Sequence, residues 1–260
     1  MTEYVTSTTE NRVLTLTLAR AHKKNALTDE MYAALADAIE RAEAGDAVRA
    51  ILIRAEGDLF TAGNDIADFN GSPPIEPGEP AAEKNVHRFL RALARSSRPI
   101  VAAVQGRAVG VGCTMLLHCD VVVLSEEVLL TTPFASLALV PEAASSLLLP
   151  ARIGHIRAFA MLALGDAVGA ASAVQWGLAN VSVPRSELDA VALDYANRIA
   201  RQPAEAVRAT KRLMRPSGEI LARIDTENVV FGERLRSDEA REAFAAFAER
   251  RAPDFDRLST

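Results

Sequence analysis

The sequence is poor in the residue types that mark several classes of protein. Its 260 residues include two cysteines and one tryptophan, and aromatic residues make up 5% of the chain. Cys113 and Cys119 lie in an apolar stretch without His or Cys at the spacing of metal ligands. We interpret them as core thiols in a reducing compartment, and we expect neither a disulfide framework nor a metal site.

Charge and hydropathy exclude two further classes of partner. The formal net charge is -5, and Lys and Arg are scattered rather than gathered in a basic stripe, so we do not expect nucleic-acid binding. No stretch approaches the roughly 20 apolar residues that a membrane-spanning helix needs. The first residues, MTEYVTSTTENRVLTL, contain no basic segment followed by an apolar run, which is the pattern of a secretion signal. We therefore expect a soluble, cytoplasmic protein that does not bind membranes.

Apolar periodicity predicts a wound α/β core. Alternating residues predict a strand over residues 12–19, and Thr28, followed by Asp29 and Glu30, predicts a helix that runs to about residue 43. The other predicted elements are strands over 50–54, 100–104, 121–124 and 128–130, helices over about 81–95 and 113–118, and mostly helix after 156. Residues 71–80 (GSPPIEPGEP) contain too much Pro and Gly for regular structure, and we interpret them as a mobile lid or an insertion. Since no shift in composition divides the chain into comparable halves, we expect one domain with a C-terminal appendage.

Two junctions between a predicted strand and a predicted helix consist mainly of small residues. They are residues 62–66 (AGNDI) and 110–112 (GVG). Such junctions leave backbone NH groups at a helix start without partners, and these groups attract negative charge. Either junction alone also fits an ordinary tight turn, but the pair favours an anion site. The phosphate-binding patterns GxGxxG and GxxxxGKS/T are not supported, so a nucleotide is not the expected anion.

The residues around these junctions resemble the sequence elements of one enzyme family. FTAGNDIADF resembles the FxAGxDL element of the crotonase (enoyl-CoA hydratase and isomerase) superfamily, and AAVQGRAVGVGCTMLLHCDVVV resembles its second element. The segments LALVPEAASSLLLPARIG and GDAVGAASAVQWGLANVSVP match later elements in the same order, so the resemblance covers essentially the whole chain. It implies a crotonase-like spiral of ββα turns over residues 1–200 and a helical region over 201–260 that packs into trimers, often paired as hexamers. It also implies an acyl-CoA substrate, with no cofactor besides the coenzyme A that the substrate carries.

The resemblance assigns the two junctions to an oxyanion hole. Its donors are the backbone NH groups of Asn64 and Val111. Removing a proton next to a thioester carbonyl transfers negative charge to the carbonyl oxygen, and two fixed donors stabilise that charge. The candidate substrate-binding residues beside them are Lys24, Ala26, Ala62, Gly63, Asp65, Ile66, Gly110, Phe134 and Leu137. For Lys24 a solvated loop remains an open interpretation, because an exposed charge needs no ligand.

The family pattern also indicates which reaction the site performs. Hydratases of this family add water with two glutamates, but Thr114 and Phe134 occupy those positions here. Neither side chain can act as a carboxylate acid or base, which argues against efficient hydration. The remaining well-placed carboxylate is Glu142, in the segment VPEAASS, which resembles the SPEGxSS context of peroxisomal-type Δ3,Δ2-enoyl-CoA isomerases. Those enzymes also carry the triplet GND found at residues 63–65.

The resemblance makes Glu142 the predicted base of an isomerase. It would take a proton from C2 of a 3-enoyl-CoA and return it to C4, giving the trans-2-enoyl-CoA. Apolar residues such as Phe134, Leu137 and Leu139 would raise the pKa of its carboxyl group, or they are simply core residues. A purely structural alternative places Glu142 just before or inside the first turn of a helix, where the helix dipole favours an acid.

Two other functions stay open at this point. One is hydration, or another reaction of the crotonase superfamily, and the other is binding of acyl-CoA with little catalysis. Polar residues elsewhere favour structural roles: we interpret His118 as a hydrogen-bonded core histidine, Asp120 as a structural carboxylate and Asp65 as a helix cap. Ser145 and Ser146 have no His at a suggestive spacing, which argues against a serine nucleophile.

Overall fold

The computed structural model describes residues 2–65 and 84–258, which form a mixed α/β fold. Ile66, the predicted lid at 71–80 and residues 81–83 of the predicted second helix lie outside these ranges. No helix within the described ranges is long and apolar enough to cross a membrane.

The larger of two sheets has six strands. They are β1 (Val5–Glu10), β2 (Val13–Leu18), β3 (Ala50–Ala55), β4 (Ile100–Val104), β6 (Val121–Ser125) and β9 (Val181–Val183), in that order across the sheet. β1 and β2 form an antiparallel hairpin, and the other neighbouring strands are parallel. The smaller sheet contains β5 (Arg107–Val109), β7 (Leu129–Thr131) and β8 (Val168–Gly169), with β7 in the middle.

Helices are interspersed with the strands up to β9, and four consecutive α-helices follow it in the described residues. In the described part of the chain they are α1 (Asp29–Glu43), α2 (Asn85–Arg95), α3 (Val111–Thr114), α4 (Ser145–Ile153), α5 (His155–Phe159), α6 (Ala170–Trp176), α7 (Leu188–Ala200), α8 (Ala204–Met214), α9 (Ser217–Leu235) and α10 (Asp238–Glu249). The short 3₁₀ helices include Met115–His118, which directly follows α3, and Ala135–Leu137, which follows β7.

Both faces of the parallel strands are buried, which explains their continuous apolar runs. In β3, Ile51 belongs to the larger core together with Leu35 of α1 and Phe89 of α2. Leu52 points to the opposite face and belongs to a smaller core with Ala192 of α7. Alternate residues along the strand therefore point into two different cores, and packing on both faces fixes the position of the strand ends.

Most of the predicted elements are confirmed, with small shifts at their ends. Thr28 caps α1, since its hydroxyl oxygen accepts a hydrogen bond from the NH of Met31 at 3.3 Å. The predicted turn over residues 105–112 contains the strand β5, and the helix predicted from Cys113 begins at Val111. β1 is missing from the prediction because only Val5 of this strand is fully buried, which leaves no apolar alternation to detect.

Candidate active site

The first small-residue junction is fixed in place by hydrogen bonds to two neighbouring segments. Thr61 pairs with β5: its NH donates to the carbonyl of Arg107 and its carbonyl accepts from the NH of Val109, both at 3.1 Å. Its hydroxyl donates to the carbonyl of Asn25 at 2.6 Å and accepts from the NH of Gly63 at 3.0 Å. Hydrogen bonds therefore connect the junction both to β5 and to the loop after β2.

The two junctions touch each other, and this contact requires glycine in both. Gly63 has a φ of +91°, and a Cβ at this position would lie 2.8 Å from the carbonyl oxygen of Val109. A Cβ on Gly112 would lie 2.2 Å from Cγ2 of Thr61. Since real Cβ atoms do not approach other atoms this closely, the glycines permit an approach that any other residue would prevent. The two predicted junctions therefore pack directly against each other.

Each junction leaves one NH group without a backbone partner in the described part of the chain. The carbonyl of Gly63 and the NH of Asp65 both bond to Leu27, at 2.8 and 2.9 Å, and the NH of Asn64 between them bonds to no carbonyl there. The NH of Val111, the first residue of α3, likewise donates to no carbonyl within the described residues. Buried NH groups are nearly always paired, so both positions are suited to an oxygen acceptor from a ligand.

Residues that the sequence does not single out hold the first junction from the α1 side. Tyr32 on α1 donates a hydrogen bond from its hydroxyl to Oδ1 of Asn64. The carboxylate of Asp65 forms an ion pair with Arg20 at 2.6 Å, and Arg20 also donates to the carbonyl of Ala26 at 3.0 Å. The helix that Asp65 is predicted to cap would begin outside the described residues. Its ion pair instead ties the junction to the loop after β2.

That loop brings two predicted substrate-binding residues beside the first junction. The carbonyl of Lys24 accepts a hydrogen bond from the NH of Ala62 at 3.0 Å. The side chain of Lys24 is exposed and its backbone has a left-handed conformation, with φ of 53°. Lys24, Ala26 and Ala62 therefore border Asn64, whereas Ile66 lies outside the described residues.

The second junction and its surroundings carry no acid or base at the two positions that the sequence compares with hydratases. Gly110 has a φ of +56°, and its NH donates to the carbonyl of Thr131 at 2.9 Å. Thr114 is buried in α3, with its hydroxyl donating weakly to the carbonyl of Val111 at 3.4 Å. Phe134 is buried and Leu137 is half-buried. The sequence therefore has no carboxylate at either of the two positions where hydratases of the family carry a glutamate.

Glu142 is a buried carboxyl group with a free oxygen. Only 6% of the residue is exposed, and its Oε1 has no hydrogen-bond partner among the described residues. Burial raises the pKa of Glu142 to about 8, and the nearby negative charge of Glu227 adds to that shift. Glu142 also lies just before α4, which begins at Ser145 with Ala144 as its N-cap residue, so its position agrees with the structural alternative as well as with the predicted role as a base. An unpaired carboxyl group that titrates close to neutral pH is suited to moving a proton.

The two residues after Glu142 have a strained backbone. Ala143 and Ala144 have φ values of 62° and 55°, in the left-handed region that L-residues other than Gly and Asn rarely adopt. Strain of this kind costs on the order of 1–3 kcal/mol for each residue and persists only where the surroundings impose it. Here His118 bonds to the carbonyl of Ala143 at 2.7 Å, and Glu227 accepts from the NH of Ala144 at 2.6 Å.

His118 is a fully buried, hydrogen-bonded core histidine, as its apolar surroundings in the sequence indicate. Burial lowers its pKa to about 3, and the positive charge of Arg215 lowers it further. Because Nδ1 faces the guanidinium of Arg215 at 2.6 Å, it must accept, and Nε2 then donates to Ala143. Asp120 accepts from the NH of Ile100 at 2.8 Å and from Lys211 at 2.7 Å, which is a structural role.

Within residues 2–65 and 84–258, no three His, Cys, Asp or Glu residues lie in an arrangement that could hold a metal ion. Cys113 and Cys119 are buried and do not form a disulfide.

Comparison with known proteins gives one consistent family. Residues 8–257 match the model of the family described as enoyl-CoA hydratase/isomerase. The 1,2-epoxyphenylacetyl-CoA isomerase of Escherichia coli is 32% identical over 98% of this chain and 99% of that protein. Human enoyl-CoA delta isomerase 2 is 30% identical over 96% of this chain and 64% of that protein. Among solved structures, an enoyl-CoA hydratase/isomerase from Pseudoalteromonas atlantica T6c has a TM-score of 0.91 and 44% identity, covering 97% of this chain and 100% of that one.

These similarities confirm the predicted crotonase fold and superfamily, but they include hydratases as well as isomerases. The names of the relatives therefore do not distinguish the two reactions. The choice between them depends on the side chains of this site.

Proposed function

Because the chain belongs to the enoyl-CoA hydratase/isomerase family, we propose that it is an enoyl-CoA isomerase that converts a 3-enoyl-CoA to the trans-2-enoyl-CoA. The observation that carries this proposal is the buried Glu142, whose Oε1 has no hydrogen-bond partner among the described residues, together with Thr114 and Phe134 at the two positions of the hydratase glutamates. Isomerisation needs one proton-transfer group, whereas addition of water needs a group for the water and control of a second proton.

The two NH groups have the first role in the proposed mechanism. The thioester oxygen would accept hydrogen bonds from the NH groups of Asn64 and Val111. When the C2–H bond breaks, its electron pair moves toward the thioester, and negative charge grows on this oxygen. Donors that are already fixed in place stabilise the charge without reorganising, and each typically contributes about 2.7–4 kcal/mol.

Glu142 has the second role. Its carboxylate takes the proton from C2, which gives a dienolate, and the resulting carboxylic acid returns the same proton to C4. The double bond then lies between C2 and C3, and Glu142 is a carboxylate again. A pKa of about 8 supports this exchange, since a base with a pKa near the working pH both accepts and returns a proton readily.

A three-substrate assay with one variant tests the proposal. Purified protein is offered cis-3-, trans-3- and trans-2-enoyl-CoA, and enoyl absorbance and hydrated product are followed for wild type and Glu142→Gln. We expect isomerisation of the 3-enoyl substrates that falls by at least about 10³-fold in the variant, with little hydration.

Three results would count against parts of this account. Isomerisation that survives Glu142→Gln removes the role of Glu142. Robust hydration of the trans-2 substrate without Glu142 removes the isomerase assignment in favour of a hydratase. Binding of acyl-CoA with neither activity makes the protein a binding homologue.

The proposal extends to assembly and location. Large apolar side chains are exposed on α5 and at the end of α8, including Ile156 at 85% and Leu213 at 88%. Such a surface supports a homotrimer or a dimer of trimers. The buried thiols of Cys113 and Cys119, which form no disulfide, support a cytoplasmic location. Light scattering that gives the mass of one chain at assay concentrations would exclude the oligomer.

A further inference from the structure

Glu227, far along the chain in α9, reaches the loop that carries Glu142. Its Oε2 accepts from the NH of Ala144 at 2.6 Å, and its Oε1 accepts from the NH and the hydroxyl of Ser146 at 2.9 and 2.5 Å. Only 6% of the residue is exposed. Three donors around one carboxylate form the connection between α9 and the start of α4.

This connection acts on the strained part of the loop. Ala144 has left-handed φ and ψ, so it is the residue whose conformation relaxes first if its NH loses a partner. Ser146, in the first turn of α4, has an NH that the helix itself cannot satisfy. By bonding to both, Glu227 caps α4 and fixes the backbone that leads back through Ala143 to Glu142.

The charges around the loop give Glu227 a second effect. Burial raises the pKa of Glu227, and the hydrogen bonds from Ser146 and Ala144 oppose that shift by favouring the ionised form. An ionised Glu227 in turn raises the pKa of Glu142, because two close negative charges disfavour each other.

Three arginines lie near the loop or act on Glu227, and one of them, Arg234, is ion-paired with Glu239. Arg223 lies on α9 and acts on Glu227, and Arg234 of the same helix donates to the carbonyl of Ala138 at 3.3 Å. Arg215 donates to the neutral His118 on the opposite side of the loop. Among the described residues, Glu227 is the negative group that acts on Glu142.

We propose that Glu227 is a positioning residue for the proton-transfer step, whose carboxylate holds the Glu142 loop in its strained conformation and whose negative charge keeps Glu142 a strong enough base. The inference rests on the proposed isomerase function. Glu227 does not touch the substrate in this account and acts only through Glu142.

Two variants distinguish the effect of the negative charge of Glu227 from the effect of its side-chain length, and a third variant is the control. Glu227→Gln keeps the size, but an amide has a single acceptor oxygen and its NH₂ must face a donor of the loop. Glu227→Asp keeps the charge and shortens the side chain by one methylene. Glu233→Gln removes an exposed charge from the same helix, and we expect it to behave as wild type.

The readout is kcat for 3-enoyl-CoA isomerisation as a function of pH. The acid limb reports ionisation of Glu142 in the complex, because only the carboxylate accepts the C2 proton. We expect Glu227→Gln to lower the plateau of kcat by about 10-fold or more and to move the acid limb to lower pH. For Glu227→Asp we expect a lower plateau with the acid limb close to its wild-type position.

A second measurement does not depend on catalysis. Carboxyl ¹³C NMR, assigned with Glu142→Gln, follows the ionisation of Glu142 directly in wild type and in the Glu227 variants. If wild type does not isomerise 3-enoyl-CoA, the proposed function fails, and this titration still tests the link between the two glutamates.

The inference is overturned if the Glu142 titration and the acid limb are unchanged in Glu227→Gln, since a lower kcat would then reflect general destabilisation. Should Glu227→Gln not fold, Glu227→Asp decides: wild-type kcat across the pH range would contradict the positioning role, and a reduced plateau would support it.

Discussion

Thr61 and Gly112 meet at the contact between the two junctions: a Cβ on Gly112 would lie 2.2 Å from Cγ2 of Thr61. Thr61 is also the residue whose hydroxyl holds Gly63 and whose backbone pairs with β5. The side chain of Thr61 thus contacts both junctions, and the second junction has room for it because residue 112 has no side chain.

The first prediction concerns this contact. Gly112→Ala should push the junctions apart and lower kcat for isomerisation by about 100-fold, because displacement of a donor by about 1 Å has this scale of effect. Thr61→Ser removes the methyl group and keeps the hydroxyl, so the double variant Gly112→Ala/Thr61→Ser should recover most of the loss. Steady-state kinetics of the four proteins checks this. Equal activity of the single and double variants would show that the methyl contact does not set the geometry.

The second prediction separates the backbone of Asn64 from its side chain. Asn64→Ala keeps the NH group, so kcat should fall by less than about 10-fold. The variant should lose about 0.5–1.5 kcal/mol of unfolding free energy, because it removes the hydrogen bond that the hydroxyl of Tyr32 donates to the Asn64 side chain. Adding Tyr32→Phe should then cost less than it does in wild type, as urea unfolding of a double-mutant cycle measures. A 100-fold loss of kcat with unchanged stability would instead assign chemistry to the Asn64 side chain.

The third prediction concerns stability and pH. The pKa of Glu142 is raised from 4.5 to about 8 in the folded protein, so the folded state favours the protonated form. The stability associated with that form is fully present below the unfolded value and is lost as pH rises through about 8.

Glu142→Gln should therefore be more stable than wild type by a few kcal/mol at pH 8.5 and by much less at pH 5. Urea unfolding at the two pH values measures the difference, with Glu219→Gln, an exposed acid of α9, as the control. A gain of the same size at both pH values would mean that folding does not raise the pKa of Glu142.

Much of the candidate site could be predicted from the sequence, because each of its backbone elements is a short, continuous segment. The two glycine junctions stand out by their own composition, and the family resemblance of short segments identifies Thr114, Phe134 and Glu142 as the positions to compare. The same holds for strands such as β4, whose apolar run is long enough to identify and whose ends are sharply defined.

The partners of these segments could not be predicted, because nothing in a local pattern indicates them. Glu227 lies in an amphipathic helix among exposed acids such as Glu233, and only the packing of α9 against α4 shows that it is buried. Arg20 and Tyr32 likewise acquire their roles through contacts with Asp65 and Asn64 that span long stretches of sequence. The left-handed conformation of Ala143 is hidden too, since alanine does not mark a positive φ as glycine does.

The central claim, that the single carboxyl group of Glu142 both removes and returns the proton, is tested by transfer of a label. A 3-enoyl-CoA with deuterium at C2 is converted in ordinary water, and the product is analysed by NMR for deuterium at C4. Because Glu142 is buried, we predict that part of the deuterium removed from C2 appears at C4 of the trans-2-enoyl-CoA. Product that forms at the normal rate with only solvent hydrogen delivered to C4 would contradict the account.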